Sequence, residues 1–269
     1  MMLLLAALAA WPVTALPDQK EVVEAAAKKI AEADSYTFRG ETSVESAFGN
    51  LPAQIPAFEG KFQKEVGLLV SVGDRGEFFR KGDKIYVKQA QGDWTELEKA
   101  QFPGAGGQGG GQNRQRGALM GRMMLRNIKA PHEEVKDLAK GFKEIKKDEK
   151  GEKIGEKECT VYFGDLTEEA VKASPIGRMI GQFAAFGGGG QGAELSGKGR
   201  AWIDASGALL KVEFVTKISL DFNGNPIEVT MTRSSEFSAL GKTTVEIPEG
   251  LKKRLEAPPP TKSEDKKDN

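Results

Sequence analysis

One cysteine and one histidine in 269 residues leave little for thiol or metal chemistry. A lone thiol cannot close an internal disulfide. Zinc sites draw on several Cys and His ligands, more than Cys159 and His132 supply, so Cys159 is expected as a buried structural residue and His132 as a surface residue opening a helix. Net charge is missing as well, because 39 Lys and Arg offset 39 Asp and Glu. Nucleic-acid binding needs a clustered basic face, and the balance argues against such a partner. Catalytic signatures are also wanting: there is no nucleophile elbow, no His pair, and no Gly-Lys-Ser or Gly-Lys-Thr after the glycine tracts. The chain therefore reads as non-enzymatic and free of cofactors.

Charge is absent altogether from residues 1–15, an apolar run ending in Val13-Thr14-Ala15. Small residues in that pattern resemble the cleavage site of a secretory signal peptide. The run is shorter than the roughly 20 residues of a spanning helix. Export to the periplasm or beyond, in soluble form after cleavage at Ala15, is the expectation.

What the chain has in quantity is strand alternation. Lys198 to Pro248 reads as four antiparallel strands, with Leu210, Val212, Phe214, Thr216, Ile218 and Leu220 at every second position and Lys211, Glu213, Lys217 and Asp221 among the residues between. Asn223-Gly224 and Ala205-Ser206-Gly207 supply the turns. From Phe58 to Leu97 a second meander turns at Gly73-Asp74, Gly82-Asp83 and Gly92-Asp93. Ahead of it, Asp18 and Glu21 form a capping pattern, and Val22, Val23, Ala26, Ile30 and Ala33 follow at helical spacing before the strand that starts at Ser35. Pro131 opens a further helix, read through Lys147, with Val135, Leu138, Phe142 and Ile145 on one side. Thr167 caps another. Glycine-rich stretches near 104–117 and 187–192 have too little apolar content to pack and read as flexible insertions. Residues 18–250 form one domain on this reading, and 251–269 a disordered polar tail.

This order of parts resembles the lipoprotein-carrier superfamily of LolA, together with the LppX and LprG lipid carriers. The likeness rests on the helix leading into Ser35-Tyr36-Thr37-Phe38, on Gly82-Asp83-Lys84-Ile85-Tyr86-Val87, and on Trp202-Ile203-Asp204 with Gly207-Ala208-Leu209-Leu210. Phe237-Ser238-Ala239-Leu240-Gly241-Lys242 and Val245-Glu246-Ile247-Pro248-Glu249-Gly250 extend it. The resemblance implies a mainly β fold with helices (α+β), a half-open antiparallel barrel of about eleven strands wrapped around helices and holding acyl chains. It departs from the LppX relatives in having no cysteine after the leading apolar run.

In such a barrel the lining is expected from Phe38, Phe62, Leu68, Val70, Phe79 and Val87 in the first half. Trp202, Val212, Phe214 and Ile218 would line the second half. Between the strands, two Gly-Arg-Met segments read as lids that set Met123, Met124, Met179, Ile180 and Phe183 against lipid tails. Arg122 and Arg178 would then stand near an anionic headgroup. The partner on this reading is a lipid or acylated lipoprotein, with transient membrane contact. The alternative is an envelope sensor or protein-interaction module whose barrel is plugged by its own helices.

Overall fold

A computed structural model describes residues 18–46, 54–74, 76–89, 92–100, 126, 129–174, 177–178, 194–222 and 225–256. Residues 1–15, both glycine-rich insertions, Arg122, Met123, Met124, Met179, Ile180 and Phe183 lie outside them, as does the chain beyond 256.

Helix α1 (Gln19–Glu32) starts where Asp18 accepts a hydrogen bond from the Lys20 backbone N–H at 3.3 Å. Its Val23, Ala26, Ala27 and Ile30 form the buried stripe, as the spacing predicts. Alternating sequence then produces β1 (Ser35–Ser46), β2 (Gln54–Gln63), β3 (Gly67–Val72), β4 (Gly76–Lys81), β5 (Lys84–Gln89) and the two-residue β6 (Thr95–Glu96). Gly82 makes the β4–β5 turn at φ 57°, a backbone angle that glycine adopts without Cβ strain. After α2 (Pro131–Gly141) come β7 (Lys146–Ile154), β8 (Lys157–Asp165), α3 (Glu168–Ala173), β9 (Glu194–Asp204), β10 (Leu209–Phe222), β11 (Asn225–Ser238) and α4 (Glu249–Glu256).

Among the described residues eleven strands join in one antiparallel sheet, ordered β6-β5-β4-β3-β2-β1-β11-β10-β9-β8-β7. The sheet is not closed, since β6 and β7 are its two edges. A single apolar cluster contains Val87 from β5, Tyr162 from β8, and Ile30, Leu138 and Val171 from α1, α2 and α3. Strands far apart in the sheet thus share one core, and the sheet curls around the three helices. This is the half-open barrel with inner helices that the sequence led us to expect.

Several local expectations are corrected. Helix α2 stops at Gly141, and the lysine run at Lys146 belongs to edge strand β7, whose charges and exposure keep an open edge from pairing with other chains. Residues 243–247 are not a fourth strand of the last meander. They form an extended strap, in which the Thr243 N–H donates to Ser35 Oγ at 3.0 Å and the Val245 N–H to Gln63 Oε1 at 2.9 Å. The strap leads into α4, so the polar tail does not begin at 251. Leu251 is fully buried and joins Phe79, Tyr86, Trp94 and Val245 in a second cluster on the outer face. The β9–β10 register shifts between Leu209 and Lys211. Across that bulge Leu209 enters the inner core while Leu210 joins Cys159, Val161 and Trp202 outside.

Candidate functional site

Among the described residues the inner face of the sheet carries Arg80 of β4, which meets Glu133 of α2 at 3.6 Å, and Arg233 of β11 as charged side chains among apolar ones. Along β11, Arg233 stands opposite Phe214 and Met231 opposite Thr216 of β10, all on the inner side with Phe237 and Val212. Period-2 alternation puts Arg233 there, between Met231 and Ser235. Above it lies α2, whose start is fixed by Pro131 and by the Ala130 N–H donating to Glu133 Oε2 at 2.8 Å. The buried stripe of α2 includes Glu134 beside Val135 and Leu138. Glu134 Oε2 meets Arg233 Nη2 at 3.0 Å.

Both partners of this pair are constrained. Glu134 is 9% exposed, and burial pushes its carboxyl up while Arg233, Arg178 and Lys129 pull it down. Burial is the larger influence, so the carboxyl lies above its ordinary range. The Arg233 guanidinium sits over the Phe58 ring, 5.2 Å from the centroid, and its Nε is buried with no hydrogen-bond partner. One carboxylate oxygen therefore satisfies only part of a fork built for bidentate pairing.

Next to the pair is a cleft between α2, α3 and strands β10 and β11. It is narrow, with about 40 Å3 of enclosed space, and Leu138, Leu166, Ala170, Phe214 and Met231 give it apolar walls. Lys129 and Asp137, paired with each other, stand at its edge. Helix α3 is set there by Thr167, whose Oγ1 accepts from the Ala170 N–H at 3.2 Å. Further along the inner face, Leu195, Ile218 and Val229 lie on a more open, more polar groove with Glu194, Lys217 and Glu228.

The structure sorts the expected lining residues unevenly. Of those described, Phe214 lines the cleft and Ile218 the neighbouring groove. Phe38, Leu68, Val70, Val87 and Val212 are buried in the core shared with the helices, and Phe62 packs against that core. Phe79 and Trp202 are on the outer face. Adjacent Phe78 and Phe79 both look apolar in sequence, but only Phe78 points inward, and α4 covers the other. Trp202 donates its indole N–H to Glu152 Oε2 at 2.9 Å under the Arg200 guanidinium. Arg178 lies within electrostatic reach of Glu134. Sequence reasoning missed Arg233 and Glu134, although a charge at an inward position of an alternating strand is a signal that could have found the arginine.

His132 is half-buried rather than a surface residue. Its Nδ1 is 2.6 Å from the Tyr36 hydroxyl, its backbone N–H donates to the same oxygen at 3.3 Å, and its ring lies 4.6 Å from that of Phe62. Burial holds the imidazole below its ordinary pKa, so the neutral ring accepts from Tyr36 and ties α2 to β1. Tyr36→Phe is expected to cost about 1–2 kcal/mol by leaving Nδ1 and that N–H without a partner, measurable by urea denaturation. In the unfolded chain the imidazole gains a proton below about pH 6.5, while the folded ring resists it. Stability should fall as pH drops from there toward the folded pKa, and His132→Asn should flatten that part of the profile.

Among the described residues no cluster of three or more His, Cys, Asp or Glu is placed to hold a metal ion, and no helix is long and apolar enough to cross a membrane. No protein-family model matches the sequence, and no curated protein matches it. Among solved structures, the chain is similar to a LolA superfamily protein from Nitrosomonas europaea, at 10% identity over 88% of this chain and 97% of that one, with a TM-score of 0.27. It is also similar to a DUF1329 family protein from Desulfovibrio piger, at 8% identity over 83% and 93% of the two chains, with a TM-score of 0.22. At these scores the likeness bears no functional weight.

Proposed function

We propose that this chain is an exported, non-enzymatic binding or carrier protein that takes an acyl chain of a lipid or acylated protein into the cleft between α2–α3 and β10–β11. The observation that carries this reading is the apolar cleft itself. Its walls are mostly hydrocarbon with a few convergent polar groups, the lining of a small-molecule site, and its enclosed space of about 40 Å3 must widen between α2–α3 and the sheet to admit a chain. Each methylene removed from water contributes about 0.8 kcal/mol, so a chain of modest length binds usefully even in a narrow slot. The Gly-Arg-Met segments are proposed as lids over the mouth, with Arg122 and Arg178 toward the headgroup.

Native mass spectrometry of the full chain purified from its own host, followed by lipid extraction, tests the proposal. The expected result is bound lipid and saturable uptake of a fluorescent fatty acid, with Ala170→Trp reducing uptake at least about tenfold by filling the cleft. Protein that carries no lipid and takes up none would contradict it.

A second reading, an envelope sensor or protein-interaction module, is favoured by the way α1, α2 and α3 already fill most of the inner face. One stable protein partner recovered without lipid would support it over the carrier.

A further inference from the structure

The acyl-cleft reading leaves the chemistry of the ligand's head open, and the Glu134–Arg233 pair specifies it. Resting on that reading, we infer that the ligand is a long-chain carboxylate whose head replaces the Glu134 carboxylate on Arg233. An internal carboxylate meets Nη2 of Arg233 at 3.0 Å, and Nε, buried, has no acceptor. The guanidinium edge carrying Nε and Nη2 matches two oxygens of one carboxylate. Glu134 reaches only one side of that edge. A carboxylate free to slide along the cleft can satisfy both donors, which is the gain that drives exchange.

The wall composition decides what lies behind that head. Phe214 and Met231 flank Arg233 on the sheet, and Leu138 lies one helical turn beyond Glu134. A tail attached to the carboxylate therefore continues into apolar surroundings. Phe58 covers a face of the guanidinium, which leaves its edge for the head.

Displacement of Glu134 requires somewhere for its charge to go. Arg233, Arg178 and Lys129 face it as cations and Glu133 as an anion, and burial outweighs them, so its pKa lies above the ordinary carboxyl value and loss of the Arg233 contact raises it further. Once the ligand takes Arg233, the largest cationic influence on Glu134 is shared, and the carboxyl gains a proton from solvent. Charge in the cleft is then conserved: one carboxylate enters and one is neutralised.

Isothermal titration of the full chain with dodecanoate, methyl dodecanoate and dodecyl phosphate tests this. Dodecanoate is expected to bind at least about tenfold tighter than its ester, the worth of a charge-assisted pair. Binding near neutral pH should take up about one proton, read from buffers of different ionisation enthalpy. Glu134→Gln should strengthen dodecanoate binding severalfold and abolish proton uptake, whereas a merely structural role for Glu134 would weaken it. Arg233→Met combined with Glu134→Leu, which removes both charges together and so avoids an unpaired one, should bring acid and ester to equal affinity. Equal binding of acid and ester by the wild type, or a preference for dodecyl phosphate, would overturn the inference while leaving the acyl cleft standing. Failure of all three ligands to bind would overturn the cleft reading and this inference with it.

Discussion

Arg233→Met is expected to lower stability by about 3–5 kcal/mol, because it leaves the Glu134 carboxylate buried beneath α2 without its closest cation. The double replacement Arg233→Met with Glu134→Leu should recover most of that loss, since a buried pair exchanged for apolar groups of similar volume is often neutral. Urea denaturation of the four proteins in the cycle measures both numbers. The pH dependence supplies an independent check. Burial raises the folded-state pKa of Glu134 above its unfolded value, so between those two values the native state holds more protons and stability falls as pH rises. Without Arg233 that fall steepens. The deficit of the single variant should therefore shrink in acid, whereas a loss due to packing alone would be the same at every pH.

Gly164→Ala is the second large effect. Gly164 lies on the inner side of β8, opposite Gly199 of β9, and the turn between α2 and β7 passes directly over it. A Cβ at Gly164 would collide with the Glu144 carbonyl oxygen, and the Phe142 ring is 3.3 Å away. Glu144 is held there by its neighbours: the Lys143 N–H donates to the Asp165 carbonyl at 2.9 Å, and Phe142 bridges to Leu166. The obstructing atom is backbone and cannot swing aside as a side chain does. We expect a loss of about 3 kcal/mol or more, enough to cut soluble yield. At Gly82, where a Cβ would meet nothing within 4 Å, alanine is disfavoured only by the positive φ, and a loss of about 1 kcal/mol is expected. A thermal melt of the two variants separates crowding from backbone strain.

Much of the fold was legible because alternation and turn chemistry are local. The meander through β3, β4 and β5, the α1 cap at Asp18 and the Thr167 cap need no knowledge of distant partners. Where sequence reading failed, the cause was a partner elsewhere in the chain. Alternation divides β4 and β5 into two faces but cannot say which is inner when α4, far along the chain, covers the outer one, and so Phe79 was assigned to the wrong side. The bulge before Lys211 reverses the faces of Leu209 and Leu210, with no compositional mark. β7 has no apolar period to read, because an exposed edge strand needs none. His132 meets Tyr36, 96 residues away, and its burial is invisible from its neighbours. The cleft was legible only in part: Phe214 was anticipated and Arg233 was readable from its inward position on β11, but Glu134 looks like an ordinary surface charge until the strand and helix are brought face to face.

The central claim is that an acyl chain enters between α2–α3 and β10–β11. Methyl NMR of the full chain with a stearate spin-labelled along its tail tests it most directly, since the paramagnetic label broadens only nearby resonances. The account predicts broadening of Met231, Leu138 and Leu166, with Leu210 and Leu251 on the outer face unaffected. Broadening confined to the outer-face methyls, or none at saturating stearate, would contradict it.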